Sequence, residues 1–393
     1  MPATTPTPQE QPQDTMTCHR AFTIGLPKCD NPAERRFPIT PEAAGQLIDR
    51  GFRIKMQEGA ADCIHYTDNQ YLRAGVSVGT REESLACDIV IHLAPPEAAD
   101  VRKMRRGAML LTLLHPANQD LMAVKELLRR HIISIAVDLI EDERGCTPFA
   151  DILAEIDGRA AVAMASSLLA DSQRGKGILL GGVAGIVPCE TLIIGSGIAA
   201  CAAARSAVGL GSMVRMYDND IYSLRRASME LGPWVITSSL HQRTLDNALR
   251  SADVVVVSRT REPFSIDREG VSAMKRGVLA FDLASDDGSA FPSMTPVDLA
   301  QASAIESSAK IDNRICFIHA GCAVARTAAM ALSNTFLTLM SGIVTCEGVS
   351  NALKLLPGMQ KATFTFFGKI VNPHIAARLG MRNVDISIYL TLS

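Results

Sequence analysis

The segment TLIIGSGIAACAAARSAVGLGSMVRMYD constrains the fold of this chain more than any other. An apolar run leads into Gly195 and Gly197, an alanine-rich helical stretch follows, and a second apolar run ends at the acidic Asp218. Gly195 permits a tight turn, Gly197 lets the backbone approach a pyrophosphate, and Ala200 keeps the helix close to the strand. The segment therefore predicts the strand–turn–helix–strand unit of a dinucleotide-binding Rossmann fold.

The acid at the end of the second strand indicates which dinucleotide is bound. Asp218 follows Gly197 by 21 residues, and at this spacing its carboxylate can accept both ribose hydroxyls of NAD. The same carboxylate would repel a 2′-phosphate, and the next residue is Asn219 rather than an arginine. We therefore predict NAD as the cofactor. The alternative is a glycine-rich structural turn that binds no ligand.

Length and charge narrow the remaining possibilities. At 393 residues the chain is long enough for two domains. It is 47% hydrophobic and 20% charged, with a formal net charge of −2, so nothing in its charge favours nucleic acid or an anionic membrane surface. The expected partner is a small molecule or another copy of the chain.

Cysteine usage and apolar runs point to the same setting. The 10 cysteines are scattered singly, without CxxC pairs or zinc-type Cys/His spacing, so we predict free thiols and no metal site. The apolar stretches GILLGGVAGIV and NTFLTLMSGIV are too short to span a bilayer. Since no signal peptide is evident either, we expect a cytoplasmic protein without membrane segments. Residues 1–20, rich in Pro, Thr and Gln, are expected to be a disordered tail.

Short apolar runs alternate with helical stretches, which is typical of parallel sheets covered on both faces. Before residue 150 these runs are AFTIG, FRIKMQE, CDIVIHL, AMLLTLL and IISIAVDLI. A helix between the cap Thr40 and the stop Gly51 is predicted among them. After a long helical stretch at 149–171, the runs ETLIIG, SMVRMYD, ADVVVVS, GVLAFDL and RICFIHA follow. The last fifty residues are expected to hold helical pieces that fold back onto the first domain.

We predict an α/β protein with two Rossmann-like domains built on parallel sheets. The substrate domain is expected to comprise residues 21–150 and 335–393. The NAD-binding domain, residues 151–334, is expected to be inserted into it, with long helices linking the two.

Several segments together resemble the alanine dehydrogenase family and its relative, the N-terminal NAD-binding part of proton-translocating transhydrogenase. They are IGLPKCDNPAERRFPITPEAAGQLIDRGF, LLTLLHPANQDLMAVKELL, GRAAVAMASSLL, GKGILLGGVAGIVP, the Rossmann unit, VLAFDLASDDG and AVARTAAMALSN. The resemblance implies a cleft in which a hydride passes between nicotinamide and a carbon that bears nitrogen. Such chemistry needs a cation for the substrate carboxylate and a proton donor.

The resemblance also implies roles for particular residues. Arg36 matches the family's carboxylate-binding arginine, whereas its neighbour Arg35 is expected to be a solvated loop residue. His115 matches the family's acid/base histidine, and Asp286 matches its active-site acid. For each of the three, a purely structural role is the alternative. Asp282, within a strand, is expected to be a buried structural acid.

Two departures from the family pattern bear on the reaction. Ala94 stands where the resemblance places a catalytic lysine, and His92 matches the first lysine of that pair. Without the second lysine, ordinary oxo-acid amination should lose orders of magnitude in rate. His319 stands where alanine dehydrogenases carry asparagine beside the nicotinamide, and we count it with Ser258, which ends the run ADVVVVS, among the cofactor-binding residues.

Three functional hypotheses therefore remain. The first is an amino- or imino-acid dehydrogenase with an altered substrate, in which His92 or His115 supplies the proton and Ala94 leaves room for a bulkier side chain. The second is a non-catalytic NAD(H)-binding protein or a partner-dependent subunit. The third is alanine/pyruvate chemistry with a relocated acid. The resemblance also implies a homo-oligomer, either a dimer or a hexamer.

Overall fold

The structure is a computed structural model that describes residues 22–115, 119–173, 175–285, 289–301, 314–345 and 353–391. The predicted tail at 1–20 and the predicted site residue Asp286 lie outside these ranges. Within them the chain forms two separate sheets, each covered by helices.

The strands in chain order are β1 (Thr23–Leu26), β2 (Arg53–Gln57), β3 (Ser77–Gly79), β4 (Ile89–Ile91), β5 (Met109–Thr112), β6 (Ile133–Ala136), β7 (Glu190–Ile194), β8 (Met213–Tyr217), β9 (Val235–Ser238), β10 (Val254–Val257), β11 (Leu279–Asp282), β12 (Pro296–Asp298), β13 (Ile315–Ile318), β14 (Thr363–Phe366) and β15 (Lys369–Ile370). The α-helices are α1 (Pro41–Asp49), α2 (Asp68–Arg73), α3 (Arg81–Leu85), α4 (Ala98–Lys103), α5 (Leu121–Arg129), α6 (Pro148–Ala170), α7 (Ile198–Gly209), α8 (Ile221–Leu231), α9 (Gln242–Ser251), α10 (Arg268–Ala273), α11 (Ala320–Ala323), α12 (Ala325–Thr345), α13 (Pro357–Ala362), α14 (Pro373–Arg378) and α15 (Ile386–Thr391).

The first sheet has the order β15-β14-β6-β5-β4-β1-β2-β3, and the second has the order β12-β13-β11-β10-β7-β8-β9. The second sheet is parallel throughout, whereas the first is parallel except that β14 pairs antiparallel with both β6 and β15. All strands of the second sheet lie between β6 and β14 in the sequence. The predicted α/β class with two mostly parallel sheets is therefore confirmed.

The end of the chain contains the expected helical pieces, α13, α14 and α15. It also contributes two strands that the sequence analysis does not predict, β14 and β15, and β14 pairs with β6 in the first sheet. The run TFTF at 363–366 alternates β-branched and aromatic residues and is wholly buried, which is the composition of a strand rather than of a helix. The expected return of the chain to the first domain does occur, through this pairing.

Helix α6 takes part in both hydrophobic cores. Phe149 and Leu153 in its first half pack into the core of the first sheet, and Ala160 and Ala165 in its second half pack into that of the second. The buried residues of α12 belong to the first core from Ala325 onward. The domain boundaries at 150 and 334 remain predictions, and this packing favours a second boundary before Ala325.

Helices α6 and α7 approach each other closely at Gly158. A Cβ at this position would lie 2.1 Å from the carbonyl oxygen of Ala199, which is far inside the van der Waals distance. Only glycine therefore allows α6 to pack against the start of α7.

Gly158→Ala should lower the free energy of unfolding by about 2–3 kcal/mol, because the backbone of α7 must shift to admit the methyl group. The matched control is Gly45→Ala within α1, where the nearest atom to the new Cβ is 3.8 Å away. Alanine's higher helix propensity should make that variant about 0.5–1 kcal/mol more stable. Urea unfolding of both variants checks this, and equal effects would contradict the close approach.

Candidate active site

The glycine-rich turn follows β7 and has the geometry that the sequence predicts. Gly195 has a φ of 99°, in the left-handed region that favours glycine. A Cβ there would lie 2.3 Å from Oγ of Ser258, and this hydroxyl donates to the carbonyl of Ile194 at 3.1 Å. Ser258 thus closes over the turn from β10, and a side chain at position 195 is excluded.

Gly197 is the N-cap of α7, and the space beside it is open. No heavy atom of the described chain lies within 4 Å of the position that a Cβ would take. Ala200, one turn into the helix, is fully buried and keeps α7 against the sheet. The free N–H groups at the start of α7 therefore face open space, an arrangement that fits a pyrophosphate.

Asp218 stands directly after β8, beside the same turn. Its Oδ2 accepts a hydrogen bond from Oγ of Ser196 at 2.6 Å, and its Oδ1 accepts from the backbone N–H of Asp220 at 3.0 Å. These bonds fix the carboxylate, and each oxygen keeps acceptor capacity for a ribose hydroxyl. The structure brings the predicted cofactor-binding residues around the turn together, and they fit NAD. Their contact with the cofactor remains a prediction.

A cavity of about 80 Å³ brings residues from both sheets together. Arg36 and His115 line it from the side of the first sheet, and Asp282 and His319 line it from the second. His115 follows β5 and His319 follows β13. Because the carboxyl ends of parallel strands meet at one edge of a sheet, this is where a ligand cleft is expected.

Arg36 is paired with Glu34, a residue that the sequence reasoning missed. Nε of Arg36 donates to Oε1 of Glu34 at 2.7 Å, and Nη2 donates to Oε2. Burial alone would raise the pKa of Glu34, but Arg36 outweighs it and the pKa lies below its usual value. The pair is therefore charged in neutral solution. The Glu-x-Arg spacing in the loop before α1 is the feature of the sequence that indicates this pairing.

Both cavity histidines have left-handed backbone conformations. His115 has a φ of 37°, and its Nε2 lies 4.0 Å from Oε2 of Glu34. His319 has a φ of 57°, and its Nδ1 lies 3.0 Å from Oδ1 of Asp298. A carboxylate thus lies beside each ring, and such strained backbone positions are common at functional sites.

Asp282 is almost completely buried at the end of β11. Its carboxylate accepts backbone hydrogen bonds from Ala284 at 3.0 Å and from Ala290 at 2.8 Å. The acid therefore shapes the loop that follows β11, as expected of a structural acid, although it also lines the cavity. Asp286 and its neighbour Asp287 lie in the part of this loop outside the described residues.

Comparison with known proteins identifies the family. The C-terminal domain of alanine dehydrogenase/PNT matches residues 161–373, and the N-terminal domain matches residues 25–156. This chain belongs to the alanine dehydrogenase/PNT family. Proteins of this family are NAD(H)-dependent oxidoreductases, so the resemblance read from the sequence, the Rossmann fold and the choice of cofactor are confirmed.

Individual alanine dehydrogenases are similar to the chain over most of its length. The enzyme of Mycolicibacterium smegmatis is 28% identical over 375 residues, which cover 93% of this chain and 99% of that protein. The enzyme of Methanococcus maripaludis is 28% identical over 359 residues, which cover 90% and 95%.

Solved structures share the fold. An L-alanine dehydrogenase has a TM-score of 0.80 at 23% identity, covering 91% of this chain and 99% of that one. A transhydrogenase from Sinorhizobium meliloti has a TM-score of 0.71 at 19% identity, covering 89% and 99%.

His92 and Ala94, the positions that distinguish this chain from the alanine dehydrogenase pattern, lie just after β4 of the first sheet. Neither His92 nor Ala94 is among the residues that line the cavity of Arg36 and His115. Nδ1–H of His92 donates to the carbonyl of Ala94 at 2.6 Å, and both residues are buried. The roles expected of His92 as a proton donor and of Ala94 in leaving room for a bulkier substrate side chain remain predictions. The preceding strand β4 is buried on both faces, so these side chains pack inside the first domain.

Burial lowers the pKa of His92 below its usual value, which gives the folded protein a pH dependence. The ring is almost fully buried, and its Nδ1 is already engaged with the carbonyl of Ala94, so loss of water around the ring disfavours its charged form. The unfolded chain binds a proton on this ring first as the pH falls below about 6.5. His92 therefore contributes stability above this pH and loses the contribution as the pH falls toward its lower folded pKa.

The free energy of unfolding should accordingly fall faster with acid in the wild type than in His92→Asn. The difference in the free energy of unfolding between the wild type and His92→Asn should narrow by up to about 1.4 kcal/mol per pH unit below pH 6.5. Urea unfolding at pH 7.5, 6.5 and 5.5 measures it. His374→Asn, at an exposed histidine of α14, is the control and should show a constant gap. A constant gap for His92→Asn would contradict a buried neutral imidazole.

Other expectations concern the whole chain. Eight cysteines within the described ranges are free. The described residues contain no group of His, Cys, Asp and Glu side chains that could hold a metal ion. None of the helices in those ranges is both long and apolar enough to cross a membrane.

Proposed function

We propose that the protein is an NAD-dependent dehydrogenase that acts on the CH–NH₂ or C=N group of an amino or imino acid. One observation carries the proposal: Arg36 and His115 line a single cavity together with Asp282 and His319, which lie at the carboxyl ends of two strands of the Rossmann sheet. A cation for a carboxylate and a group able to transfer a proton therefore lie at the edge of the sheet where a nicotinamide is expected.

Arg36 can bind a substrate carboxylate while it stays paired with Glu34. The glutamate occupies the edge of the guanidinium formed by Nε and Nη2. The second edge, formed by Nη1 and the other N–H of Nη2, keeps the parallel geometry that a carboxylate can accept bidentately. Glu34 orients the fork and fixes the direction of that free edge.

His115 is the group proposed to move a proton. Its ring lies beside Glu34, and because His115 and Arg36 line the same cavity, a substrate bound at Arg36 would come within its reach. NADH bound at the turn of Gly195 and Gly197 supplies the hydride when an imine carbon is reduced. His115 can give a proton to the carbonyl oxygen or carbinolamine that precedes the imine, and it can take one back in the reverse direction.

A second candidate function is binding of NAD(H) without turnover, alone or as a subunit that needs a partner. It is favoured by Ala94 at the position of the family lysine, together with the engagement of Arg36 by Glu34. The cytoplasmic location, the amino, oxo or imino acid partner and the homo-oligomeric state likewise remain proposals.

Oxidation of NADH in the presence of ammonium and a panel of 2-oxo acids, and with cyclic imines alone, tests the proposal. We expect turnover of at least one substrate. The rate of NADH oxidation should reach a plateau as the concentration of the carboxylate form of that substrate rises. Pyruvate belongs in the panel, because a preference for it would support alanine chemistry with a relocated acid. Tight NADH binding without turnover of any compound would favour the non-catalytic candidate instead.

A further inference from the structure

A second, larger cavity adjoins the cavity of Arg36 and His115. We name it the side chamber; it has a volume of about 330 Å³, and Lys28, Cys29, Asp30, Arg35, Ala60 and Cys63 are among the residues that line it. Asn31 and Glu34 line both cavities. A ligand whose carboxylate is held at Arg36 therefore has the side chamber next to it, on the other side of Glu34.

The two volumes bear on the size of the ligand. The cavity at Arg36 is about 80 Å³ and the side chamber is about 330 Å³. An amino acid with only a methyl side chain would not reach the side chamber. A substrate with a chain of several carbons would place its distal end there.

The charges in the side chamber bear on the chemistry of that distal end. Of its two acids, Glu34 is paired with Arg36, and Oδ2 of Asp30 lies 3.0 Å from Nη1 of Arg81, which also pairs with Asp100. Its two cations, Lys28 and Arg35, form no ion pair with any carboxylate of the described chain. The side chamber therefore offers two positive charges to an anionic ligand.

Arg35 is held in place from the opposite sheet. Its Nη1 donates to the carbonyl of Ala300 at 3.3 Å, and Ala300 lies just after β12. The side chain is half-buried rather than solvated as the sequence suggested. Its remaining N–H groups can donate two hydrogen bonds to one carboxylate. The apolar neighbours Ala60 and Cys63 reduce the competition from water for these donors.

We propose that the side chamber binds a distal carboxylate, so that the substrate is a dicarboxylic amino acid or the corresponding oxo or imino acid. The inference rests on the proposed function, since it takes Arg36 as the site of the first carboxylate. Arg35 binds the second carboxylate, and Lys28 adds positive charge at the mouth of the side chamber.

Binding to the NADH complex tests the proposal independently of turnover. Calorimetric titration compares 2-oxoglutarate and 2-oxoadipate with 2-oxopentanoate, which lacks the distal charge. The Kd of the better dicarboxylate should be at least about tenfold lower, because a charge-assisted bidentate contact is worth roughly 1.5–3 kcal/mol. Arg35→Gln should bring the ratio of the two Kd values close to one, and Arg35→Lys should give an intermediate ratio.

Arg102→Gln, an exposed arginine of α4 that bonds within its own helix, is the control and should keep the wild-type ratio. Equal Kd values in the wild type, or a ratio that survives Arg35→Gln in a variant with an unchanged Tm, would overturn the proposal. Turnover separates it from the proposed function. Dicarboxylate preference without any amination contradicts only the reaction, whereas amination of oxo acids without that preference contradicts only the side chamber.

Discussion

Gly197→Ala should weaken NADH binding by about 10- to 100-fold while the protein stays folded. The added methyl group meets no atom of the described residues within 4 Å, so it fills only the space proposed for the pyrophosphate. Holding the phosphates away from the start of α7 would weaken one charge-assisted hydrogen bond, worth roughly 1.5–3 kcal/mol. Fluorescence titration of NADH measures the effect.

Two companion variants separate ligand contact from helix stability. Alanine is a poorer N-cap than glycine and costs up to about 1 kcal/mol, whereas serine caps well, so Gly197→Ser should bind NADH weakly with an undiminished Tm. Gly209→Ala adds the same methyl group at the other end of α7, again with no atom within 4 Å, and should leave the Kd unchanged. A wild-type Kd in both Gly197 variants would show that the pyrophosphate lies elsewhere.

The second large effect is expected at Arg36. Arg36→Lys keeps the positive charge beside Glu34 but loses the planar fork, so kcat/KM for the best substrate should fall by about 100- to 1,000-fold. Lysine is preferable to alanine, because removal of the charge would leave Glu34 buried and unpaired at a cost of about 3–5 kcal/mol. Steady-state kinetics measures the loss in kcat/KM, first with the concentration of NADH varied and then with NADH fixed and the other substrate varied.

The control for this variant is Arg53→Lys, which makes the same substitution at an exposed arginine of β2. It should keep both kcat/KM and the Kd of NADH. Arg36→Lys should keep the Kd of NADH as well, because Arg36 and the glycine turn are held by different sheets. Unaltered kcat/KM in Arg36→Lys would remove the basis for a carboxylate site at this residue.

The sequence predicts the Rossmann unit well because its signals are local. Gly195, Gly197, Ala200 and Asp218 act through spacing along one strand–helix–strand segment, and the structure places them around one turn. The short strands β3, β9 and β12 escaped notice because each has 3 or 4 residues and only partial burial. Their pairing partners, rather than their own composition, define them as strands.

The candidate site was harder to predict because its residues depend on contacts between distant segments. Arg35 and Arg36 are adjacent in sequence, yet one contacts Ala300 and the other Glu34. His92 and Ala94 follow β4, and only the packing around the first sheet shows that both side chains are buried. A single sequence carries no record of such packing.

The cavity at Arg36 has one wall on each sheet, and this division has a thermodynamic consequence. On the proposed function, NADH at the turn of Gly195 and Gly197 would contact mainly the second sheet, and a carboxylic acid at Arg36 and His115 would contact mainly the first. Two ligands that contact each other across the cleft oppose separation of the two sheets, whereas either ligand alone would not. Their shifts in Tm should therefore exceed additivity, and each ligand should tighten the binding of the other by the same factor.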